Sequence, residues 1–171
     1  MTELKKLDAY AFAKQAHEGQ KRVLGEDYIT HPLDVAEIAK KHGADEATIY
    51  ACLLHDVVED TPITLEEITE IFGQEVAFLV EGVTKVENPE FTKQENQEKT
   101  LEKVSKYAKQ DKRVLLIKLS DRIHNMMYCE HAELKKTLKR YKKENPLYIH
   151  LGRKYKFDNL TNKLSELNSE K

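Results

Sequence analysis

Apolar residues along the chain recur at three- and four-residue intervals, the helical period. Leu4, Leu7, Ala11, Phe12, Ala13 and Ala16 form a first stripe that ends near Glu18. His17, at its end, reads as a residue suited to a helix C-terminus. Residues 19–30 are a loop bounded by Gly19 and Gly25 and the approach to Thr30. Thr30-His31-Pro32 opens a second helix, with proline in its first turn, and Leu33, Ala36, Ile38 and Ala39 follow as its stripe. Gly43 ends that helix. Asp45 caps the next, which is expected to run to about Val58 before Pro62 stops it. Thr64 to Glu67 and Thr92 to Glu95 are capping boxes. The first opens a helix with Ile68, Ile71 and Phe72 on one face. Val76 to Val86 forms another. The second box opens a strongly charged helix to about Lys109, whose polar face reads as solvated. Asp111 caps an apolar helix through Met126, Asn145-Pro146 marks a new helix start, and Leu160, Leu164 and Leu167 form a last packing stripe. With no repeat and no linker, the expectation is one all-α domain over residues 1–171.

Two of these helices carry polar blocks inside apolar runs. In the first, Ala51-Cys52-Leu53-Leu54 leads into His55, Asp56, Glu59 and Asp60. Residues four apart share a helix face, which sets His55 above Glu59 and Asp56 above Asp60. Three carboxylates this close repel one another unless a cation neutralises them or some are protonated. A helix end with solvated acids explains Glu59 and Asp60 but not His55-Asp56 directly after four apolar residues. Clustered metal-ligand side chains explain all four. In the second helix, Asp121 and Asn125 share a face. Asp121 alone reads as a partner of Arg122 or Arg113. His31 reads either as a cap or as a ligand held on a rigid element. In the loop, Lys21 and Arg22 are either solvated cations or phosphate and base contacts, since arginine offers a flat stacking surface and a bidentate fork.

Composition narrows the classes. The 171 residues suit one domain with its own core, and 34% charged residues with 6 glycines and 4 prolines suit a helical one. A formal net charge of -2 gives no global basic field, so a nucleic-acid polymer is not the expected partner. No run is long or apolar enough to span a bilayer, and the first residues lack the apolar core of a signal peptide. Cys52 and Cys129, without CxxC spacing, read as reduced thiols of a cytoplasmic protein. The oligomeric state has no signature.

Taken together, His31, His55-Asp56 and Asp121 are nitrogen and carboxylate donors at a helix start or inside apolar helices. Two imidazoles and two carboxylates suit Mn, Fe, Co, Ni or Zn better than Ca or Mg. The order His, His-Asp, Asp on separate helices resembles the HD phosphohydrolase superfamily. The segments Ala16-His17-Glu18-Gly19-Gln20, Arg22, Gly25, Tyr28-Ile29, His31-Pro32, Leu54 to Thr61, Phe72-Gly73, Gly82-Val83-Thr84-Lys85 and Ile117 to Met126 resemble the RelA/SpoT hydrolase domain over residues 9–130. Because the chain stops where long members continue into a synthetase domain, it is similar to the stand-alone small alarmone hydrolases, of the metazoan SpoT-homologue type.

That resemblance implies an all-α HD bundle and Mn²⁺-dependent removal of the 3′-pyrophosphate of (p)ppGpp, giving GDP or GTP and pyrophosphate. It implies His31, His55, Asp56 and Asp121 as the ligands of one divalent ion. Glu59 and Asp60 match the acid pair that positions or deprotonates the attacking water. Arg22 matches the residue packed on the guanine, Asn125 a nucleoside-pocket residue, and Tyr28 borders the pocket. A polyphosphate substrate needs further cations, for which Lys21, Arg22, Lys118 and Arg122 are the candidates. Two departures stand out. Val23 occupies the place after the arginine where the family often has lysine, with Lys21 before it instead, which implies a weaker or rearranged contact. The segment from about residue 131 diverges as well. Other readings are a different nucleotide phosphohydrolase on the same scaffold, such as an NADPH 2′-phosphatase, and a non-catalytic alarmone-binding module.

Overall fold

A computed structural model describes residues 2–170, with side chains from Ala9 onward, so Leu4 and Leu7 of the first stripe lie outside the described side chains. Ten α-helices follow one another: α1 (Thr2–Ala16), α2 (Thr30–Lys41), α3 (Glu46–Leu54), α4 (Val57–Asp60), α5 (Leu65–Phe72), α6 (Gln74–Val83), α7 (Lys93–Gln110), α8 (Arg113–Tyr128), α9 (Lys135–Lys154) and α10 (Asp158–Ser169). Among the described residues the extended pairing is limited to one isolated bridge, Lys21 with Asp27. The fold is all-α, as the periodicity requires.

Local chemistry sets the element boundaries. Asp45 accepts from the Thr48 amide at the start of α3, and both capping boxes close reciprocally, Thr64 with Glu67 and Thr92 with Glu95. Helix α8 forms the centre. Ten consecutive residues, Val114 to Ile123, are buried on it, four of them polar or charged: Lys118, Ser120, Asp121 and Arg122. It packs against α2, α3, α6, α7, α9 and α10. The core of Leu54, Ile68, Leu79, Leu115, Ile117, Leu119, Leu160 and Leu164 surrounds it.

Two expected boundaries differ. The helix through the central block does not run unbroken to Val58. It ends at Leu54, turns at His55 and Asp56, and resumes as the single turn α4. The His55 ring takes the Cys52 carbonyl at 2.6 Å, the acceptor the next helical turn would use, and Asp56 flattens to ψ -6°. Asn145-Pro146 does not start a helix either, since Pro146 lies inside α9. A mid-helix proline forfeits a hydrogen bond and costs ~3 kcal/mol in isolation. Here packing outweighs it: Tyr148, Ile149 and Leu151 are buried just beyond, and buried Asn145 holds Arg122 Nε at 2.9 Å and Asn168 at 3.0 Å.

Helices α6 and α8 approach closely at Gly82, where an added Cβ would lie 2.8 Å from Val114 Cγ2 and 3.0 Å from Tyr107 Cβ. Valine is stiff at χ1 and its helix is packed all round. Gly82→Ala is therefore expected to lower stability by ~1–3 kcal/mol, the usual cost of overpacking. Denaturant melts of the metal-free protein measure it, and an unchanged midpoint would mean that α6 shifts freely.

Candidate metal centre and adjoining cavity

Three helical elements deliver the donor set. Helix α2 presents His31 in its first turn, the α3–α4 junction presents His55 and Asp56, and α8 presents Asp121. All four residues are buried. His31 Nε2 lies 2.9 Å from Asp121 Oδ1 and 3.5 Å from Asp56 Oδ2. His55 Nε2 lies 3.1 Å from Asp56 Oδ2 and 3.5 Å from Asp121 Oδ1. Donor atoms at 2.0–2.2 Å from one ion sit roughly 3.0–3.5 Å apart in octahedral or tetrahedral geometry, and these four fall in that range. The arginine partner expected for Asp121 does not form. Arg113 pairs with Asp111, Asp45 and Glu75, and Arg122 with Glu144.

The residues fit a divalent cation on a second ground. His55 Nδ1 is committed to the Cys52 carbonyl, while Nε2 is buried without a hydrogen bond. An imidazole whose far nitrogen donates to a carbonyl presents its lone pair to a metal. Burial disfavours the charged His55 ring, but the Asp56 and Asp121 carboxylates more than reverse this and raise its pKa well above the ordinary histidine value. Burial likewise opposes the charge on Asp56, yet His55 and His31 hold it below the usual carboxylate range. Asp121 is lowered in the same way, against burial, by its bonds to His31 and His55. The cluster demands positive charge, as protons or as a cation.

The acids sit beside this cluster. Asp56, Glu59 and Asp60 offer oxygens within 4.8 Å of one another. Burial raises the Glu59 carboxyl, with Lys85 opposing and Asp56 adding to the rise. The Lys85 amide donates to Glu59 Oε1 at 2.6 Å and its ammonium lies 3.5 Å from Oε2. Burial and then Asp56 raise Asp60 also. Tyr28 donates to Asp56 Oδ2 at 2.8 Å, and Gln20 Nε2 donates to the Asp60 carbonyl at 2.8 Å.

A tight hairpin carries the nucleotide-type residues. Arg22 and Glu26 pair across it, and Gly25 turns it at φ +101°, a conformation other residues resist. The Arg22 guanidinium carbon lies over the Tyr128 ring, 3.7 Å from its centre, and the group reaches Asn125 Oδ1 at 3.3 Å. Asn125 in turn donates to Asp121 Oδ1 at 3.0 Å. Arg22, Tyr28 and Asn125 are thus brought to the cluster. Lys21 is not: it salt-bridges Asp27 on the hairpin's outer side and is more than half exposed. Val23 is 70% exposed, so neither side chain occupies the position of the missing lysine contact.

Beyond the acids opens a cavity of about 810 Å³, the size of small-molecule sites. Lys85, Lys118, Arg140 and Lys143 line it, with Tyr141 and Tyr148. Lys118 is buried and 3.7 Å from Asp121 Oδ2. Arg122 reaches the lining but is already committed, to Glu144 at 2.8 Å and Asn145 at 2.9 Å, between the rings of Tyr141 and Tyr148. It is a wall rather than a free phosphate cation. Three features escaped the pattern reading. Lys85, just beyond the end of α6, meets its partner Glu59 from 26 residues away, which spacing along the chain does not reveal. The face of α7 with Lys93, Gln94, Asn96 and Thr100 lines the cavity instead of being merely solvated. His17 is not an exposed helix end: it is buried, stacks on Tyr28 at 4.7 Å and bonds Gln20 at 2.9 Å.

Buried His, His-Asp and Asp donors at the centre of a helical bundle, beside acids and a cation-lined cavity, form a donor set that could hold a divalent metal. Residues 9–155 match the HD-domain family, and the chain is a member of that family, whose domains bind divalent metal. It is 41% identical over 163 residues to the bifunctional (p)ppGpp synthase/hydrolase SpoT of Escherichia coli K12, covering 95% of this chain and 23% of that protein. It is 41% identical over 156 residues to the guanosine-3′,5′-bis(diphosphate) 3′-pyrophosphohydrolase of Haemophilus influenzae, covering 91% and 23%. The chain thus spans about a quarter of the length of these curated relatives. A metazoan SpoT ortholog described as hydrolysing ppGpp superposes with a TM-score of 0.76 at 27% identity, over 95% of this chain and 93% of that one. A Listeria monocytogenes EGD-e protein superposes at 0.64 with 27% identity, over 85% and 99%. Among the described residues no helix is long and apolar enough to cross a membrane.

Because the raised His55 pKa keeps a proton where a ligand lone pair is needed, Mn²⁺ binding near neutral pH is expected to release protons, and affinity to rise with pH. Calorimetry in two buffers of different ionisation enthalpy reads this directly. A buffer-independent enthalpy would exclude it. Asp56→Ala should lose the ion altogether.

Proposed function

We propose that this chain hydrolyses the 3′-pyrophosphate of (p)ppGpp to GDP or GTP and pyrophosphate, with Mn²⁺ held by His31, His55, Asp56 and Asp121. The observation that carries the reading is the junction of two unlike subsites at one buried donor cluster. On one side stands a flat guanidinium suited to a purine base, and on the other a cavity lined by lysines and arginines suited to phosphates. The activities named for the E. coli, H. influenzae and metazoan relatives support the same reaction. The imidazole pair favours Mn, Fe, Co, Ni or Zn over Ca or Mg, and the choice of Mn²⁺ among them follows the family resemblance.

Bound at the cluster, the ion supplies Lewis acidity and a more acidic water at neutral pH. The chain's own residues do the rest. Arg22, held against Tyr128 and fixed by Asn125, stacks on and orients the guanine. Lys85, Lys118, Arg140 and Lys143 bind the phosphates and offset their charge. Glu59, pinned through its contacts with Lys85, accepts the water's proton, and its raised pKa brings it nearer the working pH of a general base. Asp60 orients the water from the neighbouring position. Tyr28 keeps Asp56 turned toward the cluster. The single domain of residues 1–171 is the proposed functional unit for this chemistry.

Purified protein with Mn²⁺ and ppGpp is expected to yield GDP and pyrophosphate in equal amounts, and a chelator should stop the release. Orthophosphate instead would point to a different phosphohydrolase on this scaffold. Tight binding without turnover would point to an alarmone-binding module. Glu59→Gln should retain the ion and lose roughly 10²–10⁴-fold in turnover, the range for a lost general base. Arg22→Ala should raise KM for the nucleotide while leaving metal content in place.

A further inference from the structure

One histidine beside the cluster has no role in the scheme above. His124 lies on α8, half-turned toward α2, with its Nδ1 2.7 Å from His31 Nδ1. Its Nε2 lies 3.1 Å from Asp34 Oδ2. Arg22 Nη1 also approaches His124 Nδ1, at 3.4 Å. The two rings are tilted by 31° with centres 4.9 Å apart.

These contacts determine where the protons sit. A carboxylate only accepts, so the His124 nitrogen facing Asp34 carries the hydrogen. A guanidinium only donates, so the His124 nitrogen facing Arg22 carries the lone pair. Two Nδ1 atoms at 2.7 Å share one proton between them. With His124 Nδ1 bare, that proton belongs to His31. His31 Nε2 faces the Asp121 carboxylate at 2.9 Å, a donor's position that a cation bound there would take over; with the other hydrogen held on Nδ1, Nε2 then offers that cation its lone pair.

We propose that His124, backed by Asp34, is a positioning residue that fixes the hydrogen of His31 on Nδ1 and thereby holds His31 Nε2 in its ligating form. The inference rests on the reading of His31 as a metal ligand and is independent of which nucleotide is cleaved. It also gives His31 the counterpart of what the Cys52 carbonyl does for His55. Each imidazole of the cluster has its far nitrogen occupied by an acceptor, one from the backbone and one from a second ring. Such outer partners are worth about 10–100-fold in metal affinity. Arg22 shares the same acceptor, so the base site and the metal site meet at His124 Nδ1.

The test uses the full chain and two ions. Loaded with diamagnetic Zn²⁺, the wild-type protein is examined by long-range ¹H–¹⁵N correlation of its histidine rings. His31 should show hydrogen on Nδ1 and His124 hydrogen on Nε2. Hydrogen on His124 Nδ1, or its absence from His31 Nδ1, overturns the proposal without any variant being made. Affinity for Mn²⁺ by calorimetry is the second readout. His124→Phe should weaken it by ~10–100-fold. His124→Gln, whose amide oxygen can accept from His31, should recover most of that loss. Asp34→Ala, at an exposed carboxylate, should give a smaller loss in a protein that melts normally without metal. Equal affinity in wild type and His124→Phe overturns this inference alone. A wild type that binds neither ion overturns the metal reading and this inference with it.

Discussion

Each of two imidazoles lies within 3.5 Å of both of two carboxylates in the interior of a helical bundle, where an unbalanced charge costs several kcal/mol. The rest of the site is arranged around balancing that charge. Asp56 takes a hydrogen bond from Tyr28, Asp121 takes one from Asn125 and faces the Lys118 ammonium, and Glu59 faces Lys85. Without a cation, protons hold the balance, which is why Asp56 and Asp121 raise the His55 pKa. A divalent ion bound here would substitute for protons, and its affinity would be tied to theirs.

Helix α8 is where stability and chemistry share one element. Its first three turns are packed on every side, and Asp121 emerges from that packing already fixed in position. The same helix supplies Lys118 one turn before and Asn125 one turn after, on the face of Asp121. Arg122, one residue on from Asp121 and four from Lys118, lies beside the same cavity and ties α9 to α8 through Glu144 and Asn145. One helix thus supplies both the cluster's carboxylate and the tie that holds the cavity wall. The proline inside α9 is tolerated because that tie grips the helix beside it.

The buried polar cluster was legible because its residue types violate the pattern around them. His55-Asp56 after four apolar residues and Asp121 amid ten buried ones have no packing reason to be there. The caps at Asp45, Thr64 and Thr92 were legible because each is local, needing only a side chain and an amide three residues on. The residues misread or left unassigned depend on non-local partners. Arg122 and Lys118 are four apart on one helix, yet one is locked by α9 and the other faces Asp121. Lys21 and Arg22 are adjacent, yet the hairpin turns one outward and the other onto Tyr128. His17 has the helix-end position of a solvated residue and is buried by a loop that returns over it. The break at His55 was hidden because it arises from a side chain capturing a backbone carbonyl, which apolar spacing does not record.

Arg22 shows why the chemistry of one side chain constrains the site more than its charge does. Its guanidinium carbon lies 3.7 Å from the centre of the Tyr128 ring, and its two terminal nitrogens reach His124 at 3.4 Å and Asn125 at 3.3 Å. A lysine could supply the charge but neither the plane nor the fork. Those two contacts lead separately to His31 and Asp121, one on α2 and one on α8. Both contacts are long for charge-assisted hydrogen bonds, which run nearer 2.7–2.9 Å. On the proposed reading, a base stacked on the guanidinium would therefore bear on the supports of two ligands at once, through a side chain that contacts none of the four ligands itself.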